Sequence, residues 1–273
     1  MTRTPPSECR HLLFPDLAGT SRKHLNLDVE QAGFVRRHPE IFEGVSGNPL
    51  LDPAICQRMV EEVHQKKGVD WSYGGYLEDR SRLWRGSYLS ATGAFLHLGV
   101  DFNVPQGTRI AVVEESLVVL VDEDCDRNGG WGLRVFLKPA APCHPGIVQI
   151  YAHLQNVRAA PGDRFPPGTI FAEVGGPPCN GNWFPHLHIQ GIRETCFHEL
   201  LLGRFDELDG YGNPGERAIL RRDFPDPLPR FPEFAANPRK HGSSAGVFLA
   251  GGGEGTRSRS AATAAAGAAS VER

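Results

Sequence analysis

The chain has 273 residues, 40% of them apolar, enough for one sizeable core with at most a small appendage. Its 29 Lys and Arg against 32 Asp and Glu leave a formal charge of −3, which excludes nucleic acid or an anionic membrane surface as the main partner. No run nears the ~18 apolar residues that a membrane-spanning helix needs, so no span is expected.

The opening stretch Met1–Glu8 has no apolar run behind Arg3 and is not expected to act as a secretory signal. A cytoplasmic location follows by default, with unconventional export left open. Residues 1–20 carry no period, and residues 28–37 read as a short helix weakened by Gly33. The strongest helix signal begins at Asp52, which can cap free N–H groups, with Pro53 suited to the first helical position. Ile55, Met59 and Val63 form an apolar stripe, and Gly68 can close the end. Residues 1–75 are therefore expected to form a partly helical N-terminal extension.

From residue 76 to about 200 the pattern changes to short β-type runs cut by turn residues. The runs 110–113, 117–121, 133–138, 147–154 and 169–174 are rich in β-branched residues. They predict a mainly β body with an antiparallel sheet or sandwich core. Residues 201–240 form a Pro-rich extension in which the run Phe224–Pro232 should be extended. The Ala/Ser/Gly-rich tail, 241–273, offers little to bury and is expected to be disordered. Six cysteines, at positions 9, 56, 125, 143, 179 and 196, include no Cys-x-x-Cys pair. They read as free thiols, buried or partly buried.

Three segments carry the candidate chemistry. In Phe95–Phe102, strand alternation sets His97, Gly99 and Asp101 against the apolar Leu98, Val100 and Phe102. Residues four apart on a straight strand are roughly 13 Å apart, so His97 and Asp101 can share one ion only if the chain bends, and Gly99 permits the bend. In Ile147–Leu154, alternation groups His153 with Gln149 and Tyr151. In Phe184–Gln190, His186, His188 and Gln190 share a face, and two histidines at i and i+2 can reach one metal.

His97-Leu-Gly-Val-Asp101, Tyr151-Ala-His153-Leu154 and His186-Leu-His188, in that order, resemble the signature of the lysostaphin/LytM-type zinc metallopeptidases. Asn103–Thr108, Asn128–Gly132 and Pro161–Gly168 also match, so the resemblance spans about residues 85–192. It implies a duplicated-hybrid-motif fold, Zn²⁺ held by His97, Asp101 and His188, and two unliganded catalytic histidines, His153 and His186. The implied partner is a peptide or peptidoglycan-like substrate, whose amide bond is hydrolysed. Two imidazoles and a carboxylate suit zinc and leave a position open for water. One histidine would move the proton and the other would steady the oxyanion. Two alternatives stay open: a non-catalytic zinc-binding scaffold and a histidine phosphocarrier of related fold. The oligomeric state is also open. The acidic run Asp122–Gly129 has Arg127 where a calcium loop needs glycine and reads as a solvated hairpin tip. His144 and His198 match no motif and read as structural.

Overall fold

The computed structural model describes residues 11–140, 146–203 and 208–235. The tail 241–273, Cys9, Cys143 and His144 lie outside them. In the N-terminal region, α1 (Leu27–Arg37) is capped by Asn26, whose side chain accepts from Val29 N. A single turn, α2 (Pro39–Phe42), follows. Helix α3 (Pro53–Lys67) begins where Asp52 accepts from Ala54 N and Ile55 N at 2.8 and 3.3 Å. It ends at Gly68, whose φ of 65° is the left-handed conformation that stops a helix. Its buried face is Cys56, Met59, Val60 and Val63. That is the i, i+3, i+4, i+7 set of a 3.6-residue period, and Ile55 sits at its margin. Cys56, Met59 and Val60 pack with Leu27, Phe34, Leu50, Trp84 and Phe184 in one apolar cluster.

The strands are β1 (Arg22–His24), β2 (Trp71–Gly74), β3 (Leu96–His97), β4 (Val100–Asn103), β5 (Arg109–Ala111) and β6 (Ser116–Asp124). They continue with β7 (Gly132–Pro139), β8 (Ile147–Gln155), β9 (Arg164–Phe165), β10 (Ile170–Val174), β11 (Leu187–Arg193) and β12 (Tyr211–Gly212). Ten of them form one sheet with the path β1-β2-β4-β11-β8-β7-β6-β9, and β10 joins β5 to β8. Only the β1–β2 pairing is parallel among the described residues. The chain is thus mainly β with a helical N-terminal layer, and that region also lends β1 and β2 to the sheet. Among the described residues no helix is long and apolar enough to cross a membrane.

Alternation divides the core between the two faces of the sheet. Val135, Leu137, Tyr151, Leu187, Ile189, Val100 and Phe102 belong to one cluster. Phe136, Ile150, Ala152 and Ile192, their odd-step neighbours, belong to another, and Leu98 joins it because the strand is broken between it and Val100. Strand residues on both faces are therefore buried, including the polar His97, Asp101, His188 and Gln190. Helix α4 (Glu194–Leu201) follows β11 and buries Phe197 on Phe136, their rings 5.6 Å apart. Helices α5 (Arg217–Asp223) and α6 (Pro232–Ala235) close the described chain.

Several local expectations need correction. The run 95–102 is not one strand: it breaks at Leu98–Gly99, so that β3 pairs with β12 and β4 with the main sheet. The Pro-rich run is not extended throughout, because Leu228–Arg230 makes a 3-10 turn, a geometry whose first residues need no N–H. Of the thiols, Cys56 is buried and Cys196 half-buried, but Cys125 and Cys179 are exposed. The acidic hairpin tip uses its carboxylates to close turns. Asp124 accepts from Asp126 N and Trp131 N, and Asp126 from Asn128 N.

Candidate metal centre

Strands β4, β11 and β8 are neighbours in the sheet, and register aligns their functional residues. His188 lies opposite Asp101 on one side and opposite Ala152 on the other. The break at Gly99 returns His97 to the same place. A carbon substituent on Gly99 would sit 2.5 Å from the His188 ring, so only glycine lets the two segments approach.

Three donor atoms converge as a result. His188 Nδ1 is 3.0 Å from Asp101 Oδ1 and 3.1 Å from His97 Nε2, and His97 Nε2 is 3.3 Å from Asp101 Oδ1. Tetrahedral zinc with bonds of ~2.0–2.1 Å separates its ligand atoms by about 3.3 Å. Among the described residues, this is the one group of three or more His, Cys, Asp or Glu close enough to hold a metal. Hydrogen bonding then sets which lone pairs face inward. Gln190 Nε2 donates to Asp209 O, so its Oε1 faces His188 Nε2 at 3.2 Å and accepts from it. His188 Nδ1 therefore presents a lone pair to the carboxylate and to His97. These donor atoms, on residues 1–5% exposed, are ones that a shared cation would satisfy, and the residues present fit a metal.

Burial pushes the Asp101 carboxyl upward, but the imidazoles of His97, His186 and His188 around it outweigh that and hold it well below the usual range. Burial lowers His97. The His97 ring lies 5.0 Å from that of Tyr211 of β12, tilted by 58°, and the Tyr211 hydroxyl accepts from Trp84 Nε1 at 2.7 Å. Trp131 stands perpendicular to His188 at 5.2 Å.

His153 and His186 flank the donors, with ring centres 4.5 Å apart. His153 Nδ1–H donates to Asn180 O at 2.9 Å, and His186 Nδ1–H to Phe184 O at 2.8 Å. A carbonyl can only accept, so both rings carry hydrogen on Nδ1 and leave Nε2 as the free base. Burial keeps both unprotonated at neutral pH. It lowers His186 to about 4 and, with help from the nearby His186 and His188, takes His153 well below its ordinary value.

His153 departs from strand alternation. Regular β geometry would turn it away from Ala152 and His188, onto the Tyr151 face. Its φ of 63° reverses that and aims the ring at His186 and His188. Trp131 O accepts from His153 N at 3.0 Å, and Gly175 N donates to His153 O at 2.7 Å, holding the left-handed residue in place. Leu154 is thereby shifted into the cluster that holds Tyr151.

The five expected side chains thus meet at one place. His198 lies on the exposed side of α4, 3.9 Å from Glu194, away from them. The residues missed in the sequence are those that surround the donors from distant segments: Arg80, Trp84, Trp131, Asp209 and Tyr211. Only Trp131 lies in a segment that the sequence marked, the turn Asn128–Gly132; the others carry no local signal. Gln190 was visible as a face-mate of the histidines, but not as the group that orients one of them.

Residues 95–196 match the model of peptidase family M23. Among solved structures, the chain is similar to a Pseudomonas aeruginosa protein described as an M23 peptidase (26% identity, 35% of this chain and 37% of that one, TM-score 0.30). It is also similar to the catalytic domain of the prophage-encoded M23 protein EnpA from Enterococcus faecalis (25% identity, 44% and 77%, TM-score 0.32). A third is lysostaphin from Staphylococcus simulans (21% identity, 54% and 48%, TM-score 0.36). The chain spans well under half of the first of these and about half of lysostaphin. No curated protein matches the sequence. The matched stretch, residues 95–196, carries all five of these side chains.

Proposed function

We propose that the chain is a zinc-dependent metalloendopeptidase that hydrolyses an amide bond in glycine-rich or cell-wall-type peptides. The observation that carries the reading is the convergence of His97 Nε2, Asp101 Oδ1 and His188 Nδ1 within 3.0–3.3 Å, beside two histidines whose free nitrogens are Nε2. His97, Asp101 and His188 would hold the metal. Zinc supplies Lewis acidity, polarising an amide carbonyl and making water a nucleophile near neutral pH.

The remaining work belongs to the chain. With Nδ1 engaged at both His153 and His186, proton traffic passes through Nε2. One of the two accepts a proton from the attacking water at Nε2 and returns it to the departing amine nitrogen. The other would take a proton from solvent at Nε2 and donate it to the carbonyl oxygen as charge builds there. Burial favours the first role, since a base that is unprotonated at rest is ready to accept. Asp101 also weighs against the phosphocarrier alternative, because its carboxylate lies 3.0–3.3 Å from two imidazole nitrogens, where it would repel a phosphoryl group.

The test combines metal analysis with an assay on glycine-rich and cell-wall-type peptides. About one zinc per chain is expected. His188→Ala should lose the metal, while His153→Ala and His186→Ala should keep it and lose turnover. Loss of zinc in His153→Ala as complete as in His188→Ala would refute the division of roles.

A further inference from the structure

Only one oxygen of Asp101 faces the imidazoles. The other, Oδ2, lies 3.7 Å from Nη2 of Arg80. Arg80 follows β2 in the chain, outside residues 95–196, and is 1% exposed. The same Nη2 lies 3.5 Å from Glu78 Oε2, and Glu78 Oε1 lies 3.3 Å from Nε2 of His24 on β1. A row of ionisable groups therefore runs inward from the exposed His24 to the Asp101 carboxylate.

The backbone is shaped for this approach. Arg80 N donates to Phe95 O at 3.0 Å, fastening the residue beside β3. Gly75, with φ of +113°, leaves the space that Arg80 and His97 fill. A side-chain carbon there would lie 2.7 Å from Arg80 Nη2 and 2.5 Å from His97 Nδ1. A guanidinium buried this deeply keeps its charge and needs carboxylates around it. Glu78 alone would balance that charge. The approach to Asp101 therefore does something more: a positive charge 3.7 Å from Oδ2 holds that oxygen on its side and leaves Oδ1 turned to His97 and His188. A carboxylate without such a partner can rotate and offer both oxygens to a cation.

We propose that Arg80 is a positioning residue that makes Asp101 a one-oxygen metal ligand, supplied by the region that precedes the family segment. This inference rests on the metal-binding reading above. The experiment uses the full chain and its Arg80→Gln, Arg80→Lys and Glu78→Gln variants. Zinc affinity is read by competition with a chromogenic chelator, ligand geometry by the visible absorption of the Co²⁺-loaded protein, and folding by circular dichroism.

Arg80→Gln should weaken zinc by about 10–100-fold and change the position and intensity of the Co²⁺ bands. Arg80→Lys, which keeps the charge, should restore part of both. Glu78→Gln should change neither, because Arg80 still faces Asp101, whereas a merely structural Arg–Glu clamp would make the Glu78 variant as damaging as the Arg80 variant. Should Arg80→Gln fail to fold, the double variant Glu78→Gln/Arg80→Gln removes both charges together and takes the same two measurements. Wild-type affinity and unchanged Co²⁺ bands in a folded Arg80→Gln or double variant would overturn the proposal and leave the metal reading standing. A wild-type chain that binds no zinc would overturn both.

Discussion

Gly99 separates the donors His97 and Asp101, and its replacement by alanine is the smallest change that should disable the site. The added carbon would lie 2.5 Å from both Cε1 and Nε2 of His188, and 2.7 Å from the backbone oxygen of Ile189. Unbonded carbons settle at ~3.5–4.0 Å, so the ring would have to withdraw by about 1 Å. It has little room to do so. Asp101 Oδ1 lies 3.0 Å from Nδ1, Gln190 Oε1 lies 3.2 Å from Nε2, and the Trp131 ring stands at 5.2 Å. Overpacking of this kind costs about 1–3 kcal/mol of stability. Displacing a ligand should weaken zinc at least as much as losing one of its supporting hydrogen bonds, about 10–100-fold. A shift of about 1 Å in a reacting group lowers turnover by roughly 10²-fold. Chelator competition, thermal melting with and without zinc, and peptide hydrolysis measure the three effects. A Gly99→Ala protein that folds and binds zinc as tightly as wild type would show that the His188 ring is not held where the donors require it.

Two further changes act away from the metal. Asp52→Ala removes the side chain that accepts from Ala54 N and Ile55 N and should cost about 1 kcal/mol, with zinc affinity unchanged. For a chain of this size that is a fall of roughly 2–4 °C in the melting midpoint. His64, at the end of α3, accepts at Nε2 from the Ser72 hydroxyl at 2.8 Å, while Ser72 Oγ accepts from Asn103 Nδ2 at 2.9 Å. Burial lowers its pKa, so the folded state favours the neutral ring. That contribution is present above the unfolded value near 6.5 and is lost as pH falls below it through the folded value. His97, His153 and His186 act in the same direction in metal-free protein, so the check is a comparison. The melting midpoint of His64→Gln should decline less steeply between about pH 7 and 5 than that of wild type, and parallel curves would exclude the role.

Much of the architecture rests on interactions within a few residues, and these are legible in the primary structure. Asp52, Pro53 and Gly68 bound α3 because caps act over two or three positions. The β-branched runs mark β6, β7, β8 and β10, and His186 and His188 share a face because the strand period is two. The three motifs named the donors, although alternation alone placed one histidine wrongly. His153 turns toward the site through a left-handed backbone held by Trp131 and Gly175, which no periodicity encodes. The bend at Gly99 was foreseeable as a freedom, but the pairing of β3 with β12 that uses it was not. Arg80 and Tyr211 carry no local mark, since each gains its meaning only from the metal-site residue it faces. The donors themselves are 87 and 91 positions apart, and bringing them within 3.1 Å is the work of strand register and of a core buried on both faces of the sheet. Composition and period select the elements because their causes are local. The site exists because long-range pairing closes the chain around it.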